Sequence, residues 1–231
     1  MIADPHITDP HIHITHHKTG LKMSGFISIN TSQKLNRFCQ SQCHNERAVC
    51  KYCYGRGMEI NYSWLRAKLI KNFYRLSVPL SDDEILNLSG QIQEENKLFV
   101  RFHSIGELTG INHLLNFYQI CESLPDNKFG LWSKRPGIVQ KTKRTPDNLS
   151  MIYSNPIIDQ PLDKIPARFN GIFNVVSYEW CVENSMIPDC TGSCMKCLKC
   201  YQGDPVVVTE LLKKDQTSIT KGFIPPLEEV V

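Results

Sequence analysis

The sequence predicts an α/β fold, a partial (β/α) barrel of parallel strands with a cysteine-rich C-terminal knuckle. Short apolar runs alternate with amphipathic stretches over roughly 150 residues, the pattern of βα units around a parallel sheet. Of the 231 residues, 41% are hydrophobic and 21% charged, which supplies apolar mass for one large core and excludes a disordered or fibrous chain. Eight of the ten cysteines fall into two compact groups of four, the second close to the C-terminus.

The elements follow in order. Residues 1–22 carry His6, His11, His13, His16 and His17 in a near-duplicated DPHITDPHIHIT stretch with little core-forming content. They read as a disordered extension, either a histidine-rich metal-scavenging tail or sequence upstream of a start at Met23. FISIN, residues 26–30, has the pattern of a short strand, and the first cysteine loop, Cys39 to Cys53, follows it. From Ser63 to Leu76, Trp64, Leu65, Ile70, Phe73, Tyr74 and Leu76 recur with helical spacing, and Pro79 ends that helix. Ser81 and Glu84 have capping-box spacing, and Ile85, Leu88 and Ile92 repeat at three and four residues, so a second helix starts there. LFVRFH, residues 98–103, is a strand running into the loop SIGELTG. A helix from about Ile111 to Ser123 buries Leu114, Leu115, Tyr118 and Cys121, and PDNK closes it. Residues 128–132, 149–154 and 171–177 supply three more strands. The chain thus divides into the extension, a barrel domain over 23–185 holding the first cysteine group, and residues 186–231 with the second group and a tail.

Parallel α/β folds place their chemistry at the C-terminal ends of strands. The cysteine loop, the SIGEL loop and the SKRP segment after FGLW are therefore expected on one face. Lys and Arg total 26 against 23 Asp and Glu, a formal charge of +3, too small to imply nucleic-acid or membrane-surface binding by itself. No run of about 18 apolar residues is present to span a membrane. The N-terminus lacks the charged and apolar regions of a signal peptide, so the expected compartment is a reducing cytoplasm.

In that compartment cysteine tetrads read as metal or iron–sulfur ligands rather than disulfides. The first group is Cys39, Cys43, Cys50 and Cys53, with gaps of three, six and two residues, a span over which four thiolates converge with little loop-closure cost. The second is Cys190, Cys194, Cys197 and Cys200, with gaps of three, two and two, like the tight runs of bacterial ferredoxins. Tetrahedral zinc usually pairs two CxxC knuckles across a longer spacer, so the tight run favours an iron–sulfur cluster, with zinc the alternative. A cluster held by four cysteines is coordinatively closed, whereas one held by three leaves an iron that a small molecule can bind. His44 adds a further ligand candidate in the first group.

The segment CKYCY sets Tyr52 just before Cys53 and resembles the CxΦC half of the radical S-adenosylmethionine (radical SAM) signature CxxxCxΦC, from which the six-residue gap between Cys43 and Cys50 departs. HSIGEL, from His103 to Leu108, resembles the GGE motif with which such enzymes hold the methionine amino group, Ile105 replacing the first glycine before Gly106 and Glu107. The order of blocks, ISINTSQKL, C…CKYCY, RFHSIGEL, KFGLWSKRP, NLSMIYS and a terminal cysteine cluster, resembles the phage gene product 88 family over about residues 24–202, which agrees with a start at Met23. Related phage proteins look like shortened radical-SAM-type barrels. The resemblance implies one or two [4Fe–4S] clusters and S-adenosylmethionine as cofactor. The catalytic cluster would sit on Cys43, Cys50 and Cys53, with Cys39 as the alternative ligand, and Gly106 and Glu107 would contact the methionine end. It does not name a substrate.

Of the other residues, His103 is either a contact at the same site or a hydrogen-bonded strand-end histidine. Lys134 and Arg135 are either an anion-binding pair at the rim or an ordinary solvated pair. The basic run Lys141 to Arg144 with Pro146 reads as a solvated loop, Cys121 and Cys181 as buried small hydrophobes, and the GxG of Gly55 and Gly57 lacks the context of a dinucleotide fingerprint. Two rivals stand beside the radical SAM reading. One is a non-catalytic, zinc-stapled protein whose basic loop engages nucleic acid or a host protein. The other is an electron-transfer protein with closed clusters and a redox partner.

Overall fold

A computed structural model describes residues 11–213 of the chain. Its elements are β1 (Ile14–His16), β2 (Ile27–Ile29), α1 (Arg37–Gln42), α2 (Tyr54–Asn61), α3 (Ser63–Leu76), α4 (Asp82–Glu94), β3 (Phe99–Phe102), α5 (Ile111–Ser123), β4 (Lys128–Ser133), α6 (Pro136–Val139), β5 (Leu149–Ser154), β6 (Gly171–Val176), α7 (Tyr178–Glu183), α8 (Cys194–Cys197) and β7 (Val206–Leu211). The seven strands form one sheet in the order in which they occur along the chain. β1 pairs antiparallel with β2, and each later strand lies parallel to its predecessor. The mixed α/β class is as the sequence predicts. Among the described residues β1 and β7 are the sheet's edges and do not pair, so the sheet is open.

Alternate strand residues point to opposite faces. On one face Ile27, Ile29, Val100, Phe102, Phe129, Leu131, Leu149 and Met151 join Leu88 and Ile92 of α4 and Leu114, Phe117 and Ile120 of α5 in the main core. Phe102 and Phe117 stack with ring centroids 3.9 Å apart. On the other face Phe26, Trp132 and Ile152 pack with Tyr201 and, more peripherally, with Cys194, Leu198 and Cys200. The second cysteine segment thus covers the side of the sheet that these helices leave free.

Helix α4 begins as its sequence signals, with Ser81 and Glu84 in a reciprocal capping box. Helices α3 and α5 occupy the residues expected, but with rotated faces. α3 buries Leu65, Leu69, Asn72 and Leu76, while Trp64 is 62% exposed. In α5 Leu115 is 44% exposed, and His113, Asn116 and Phe117 are buried instead. Polar side chains account for the difference. Asn72 donates to the His13 and Asn30 carbonyls and accepts from the His13 amide, and Asn116 donates to the Leu76 and Val78 carbonyls and accepts from the Leu80 amide. Such fully used amides sit in a core at little cost, and a hydrophobic pattern overlooks them.

Two boundaries move. Residues 1–10, including His6, lie outside the described residues, but residues 11–22 are not free of core: Ile12 is buried in the main cluster and β1 covers the edge of β2. Packing extends upstream of Met23 because the ITH segment completes a ladder that β2 would otherwise leave open. The second tetrad does not follow the last strand. VVVTEL forms β7, parallel to β6 from Gly171↔Val206 to Val176↔Leu211, so the tetrad lies inside the β6–β7 crossover and residues 206–211 belong to the same sheet. Residues 214–231 of the expected tail lie outside the described residues.

Candidate functional site

The loops that leave β2 and β3 at their C-terminal ends are hydrogen-bonded to each other. Asn30 Oδ1 accepts from Ser104 Oγ (2.8 Å) and the Ile105 amide (2.9 Å), and the Thr31 amide donates to the Ile105 carbonyl (3.1 Å). Asn36 extends this link. Its side-chain oxygen caps α1 by accepting from the Phe38 and Cys39 amides, and its Nδ2 donates to the Glu107 carbonyl at 2.8 Å. Buried Glu59 of α2 accepts from the Gln33 amide (2.9 Å), the Lys34 amide (3.3 Å) and Ser32 Oγ, tying the start of the cysteine loop to its end.

Within this frame Cys39 lies in α1, Cys43 at its C-cap, Cys50 in a 3₁₀ turn at Val49–Tyr52, and Cys53 at the N-cap of α2. Gln33 Nε2 donates to Cys53 Sγ at 2.9 Å. The 3₁₀ turn is anchored to the end of β5 by the Val49 amide on the Pro156 carbonyl (2.9 Å). Burial pushes the Cys39 thiol well up, with the Glu107 carboxylate adding to the rise, and burial also raises Cys50. The Lys134 ammonium works against both shifts, and Cys53 adds to both, so the cysteines, Glu107 and Lys134 share one local field. Among the described residues no three His, Cys, Asp or Glu side chains stand in coordinating positions. Thiols are soft donors, of the kind that could hold iron–sulfur clusters or zinc, and here the Lys134 ammonium acts on them.

Gly106 and Glu107 stand beside this group. Gly106 has φ +113°, and a Cβ there would lie 2.3 Å from Thr31 Oγ1 and 2.9 Å from the Thr31 carbonyl. Glu107 is buried. Its Oε1 accepts from the Leu108 amide (2.8 Å) and Ser133 Oγ (2.7 Å), and its Oε2 from the Lys134 amide (2.8 Å). The carboxylate therefore stitches the β3 loop to the end of β4. Neither basic residue of the SKRP segment is simply solvated. Lys134 Nζ donates to Ser154 Oγ (3.0 Å), and Arg135 Nη1 donates to the Leu108 and Thr109 carbonyls (2.9 and 3.1 Å).

His103 turns away from the cysteines. With φ +58°, it packs its ring against His113 (centroids 4.9 Å apart) and Phe117 of α5. Both its ring nitrogens are buried without a protein partner. Burial lowers the His103 pKa well below 6.5, His113 adding to the shift, and burial lowers His113 to about 3. Both rings are thus neutral in the fold, and below 6.5 the unfolded chain takes up protons that the folded one does not. Stability is full above that pH and falls between 6.5 and about 3, by up to about 1.4 kcal/mol per pH unit per histidine. Urea unfolding at pH 5.0 against 7.5 is expected to show a loss of stability at the lower pH, to which His17, lowered to about 4 by burial with Arg101 and His16 adding to the shift, also contributes, and His113→Leu is expected to remove about a third of that dependence. Equal pH dependence in the variant would show that His113 is not buried neutral.

Tyr52, exposed between Cys50 and Cys53, borders a polar cavity of about 270 Å³ that is also lined by Glu46, Arg47, Asp159, Gln160 and Ser177. The cavity opens between the cysteine loop and the C-terminal ends of β5 and β6. Asp159 is held in place by the Ser177 amide (2.6 Å) and hydroxyl (2.8 Å).

The second group packs on the face of the sheet opposite the main core. Cys190, Cys194, Cys197 and Cys200 all line one cavity of about 40 Å³ against the free face of the sheet. The Cys190 amide donates to the Thr209 carbonyl (3.0 Å) and the Cys194 amide to the Lys22 carbonyl (2.9 Å), which ties the first half of the segment to β7 and to the β1–β2 connection. Leu198 adopts φ +52° and turns the chain so that Cys200 faces the same cavity. Burial raises Cys194 and pushes Cys200 up to about 12, and Arg101 of β3 opposes both shifts. Cys121 and Cys181 are buried apart from either group.

Sequence reasoning reached the cysteines and the GEL loop but passed over Asn30, Asn36, Glu59 and Arg101. Only Asn36 carried a readable signal, as a helix-capping residue type just before α1. Among the described residues no helix is long and apolar enough to cross a membrane. A family model described as Gene product 88 matches residues 13–179, beginning upstream of Met23. No curated protein and no solved structure matches the chain.

Proposed function

Because the chain belongs to the gene product 88 family, a phage gene product family, we propose that it is a radical-SAM-like iron–sulfur protein working in the host cytoplasm, its parallel strands curling as a partial (β/α) barrel. The observation that carries this reading is the hydrogen-bonded pairing of the cysteine loop after β2 with the Gly106–Glu107 loop after β3, both at strand C-termini. There the GEL loop sits against a thiol-rich rim, as the resemblance implies.

In this reading Cys43, Cys50 and Cys53 hold a [4Fe–4S] cluster by three ligands, Cys39 being the alternative. Such a cluster, reduced by an external one-electron donor, would supply the electron for reductive cleavage of S-adenosylmethionine and so start radical chemistry on a substrate still to be identified. The chain's own residues bind and orient. Glu107 spends three of its roughly four lone-pair sites on Leu108, Ser133 and Lys134, leaving one to accept from a methionine amino group. Gly106, without a side chain, leaves its backbone open to approach. The cavity beside Tyr52 offers an aromatic ring and polar groups to a nucleoside.

Anaerobic purification with iron, sulfide and zinc quantification is the first test, followed by assay of the reduced protein for deoxyadenosine released from S-adenosylmethionine. Brown protein with near-stoichiometric iron and sulfide that releases deoxyadenosine is the expected result. Colourless protein carrying zinc would instead favour the stapled binding protein, and iron without cofactor binding would favour the closed-cluster electron carrier.

A further inference from the structure

Three residues that line the cavity of the second cysteine group each carry a buried donor that the protein does not use. Trp132 Nε1, Tyr201 Oη and Arg101 Nε are buried without a hydrogen-bond partner, and all three residues line that cavity with the four cysteines. A buried N–H or O–H left unpaired is costly, so three around one small cavity call for an acceptor that belongs there. Their arrangement is held from several sides. The Arg101 guanidinium lies over the Trp132 ring at 3.8 Å, the Trp132 and Tyr201 rings are 5.5 Å apart, and Tyr201 also packs on Phe26 at 5.0 Å. Gly130 makes room for them, since a Cβ there would lie 2.7 Å from both Trp132 Cζ3 and Tyr201 Cε1. Four thiols and three spare donors, one of them on a cation, suit an anionic, sulfur-rich group. Thiolate and sulfide sulfurs accept N–H and O–H bonds, and a guanidinium offsets their negative charge.

We propose that Trp132, Tyr201 and Arg101 donate hydrogen bonds to the sulfurs of an iron–sulfur cluster bound by Cys190, Cys194, Cys197 and Cys200, and so raise its reduction potential. This rests on the iron–sulfur reading above and adds a role for residues it leaves idle. Hydrogen bonds to sulfur stabilise the more negative, reduced state, and removing one lowers the potential. Tyr201→Phe deletes one oxygen and Trp132→Phe removes the indole N–H, neither replacing a cysteine.

The test uses the full chain, purified anaerobically and reconstituted with iron and sulfide. Its readout is redox titration followed by electron paramagnetic resonance, with Cys197→Ser identifying the signal of the second centre. Both Phe variants are expected to keep wild-type iron and sulfide content while the second centre's potential moves to more negative values and the first centre's stays in place. Iron content intact with an unmoved potential in both variants overturns the proposal alone. A protein that takes up zinc and no iron overturns this proposal and the iron–sulfur reading together. Should Trp132→Phe fail to fold, Tyr201→Phe decides by itself.

Discussion

Gly106→Ala is expected to destabilise the protein by about 2–6 kcal/mol and to disorder the rim on which the first cysteine group stands. Two costs add. The backbone at φ +113° lies where a residue with a Cβ is strained by about 1–3 kcal/mol. The new methyl would also meet Thr31 Oγ1 at 2.3 Å and the Thr31 carbonyl at 2.9 Å, and overpacking of this kind costs about 1–3 kcal/mol more. Thr31 cannot retreat cheaply, because its amide donates to the Ile105 carbonyl one residue before the glycine. Gly90, inside α4 with nothing within 4 Å of its would-be Cβ, is the control, and Gly90→Ala is expected to stabilise by about 0.5–1 kcal/mol. Urea midpoints of the two variants measure the contrast. A Gly106→Ala protein as stable as wild type would mean that the β2 and β3 loops are not locked together as described.

Glu107→Gln is expected to cost about 3 kcal/mol before any cofactor is added. Three donors converge on the carboxylate: the Leu108 amide, the Ser133 hydroxyl and the Lys134 amide. A hydrogen bond to a charged group contributes about 1.5–3 kcal/mol, and the Gln side chain replaces one acceptor oxygen with an NH₂ that must face a donor. The loss is expected in the apo protein as a lowered melting temperature, because the bonds belong to the fold. Weaker binding of S-adenosylmethionine by this variant is therefore diagnostic only after correction for stability. An apo protein of unchanged melting temperature would assign Glu107 to the ligand alone.

How much of this was legible in the sequence depends on the kind of signal. The alternation of apolar runs gave β3 to β6 and the helices Ser63–Leu76 and Ile111–Ser123 almost residue for residue, because burial against one sheet imposes a strong period. The facing of those helices was misjudged where Asn72, His113 and Asn116 occupy core positions. Strands β1 and β7 were missed for different reasons. ITH is too short and too histidine-rich to carry a pattern, and VVVTEL was obscured by the cysteines before it. Both tetrads were visible as spacing, but not that they stand on different parts of the sheet, one on the rim and one on a face, since that follows from topology. Arg101, Trp132 and Tyr201 were illegible as a group. They are distant in sequence and meet only because β3 and β4 are neighbours and the second cysteine segment folds across them.

The sheet's strand order is also the order of synthesis. Each parallel strand meets a neighbour that has already left the ribosome, so the sheet can grow by one edge at a time, without waiting for a distant partner. The loops depart from this order: the Val49 amide waits for the Pro156 carbonyl, and in the last crossover the Cys194 amide returns to the Lys22 carbonyl near the start of the chain. From the emergence of Cys53 to that of Cys200 takes roughly ten to thirty seconds at ordinary elongation rates. Through that interval the nascent chain carries its first four thiols without the second four. The two cysteine groups are thus separated in time of assembly, the first having emerged before the segment that closes over the free face of the sheet exists.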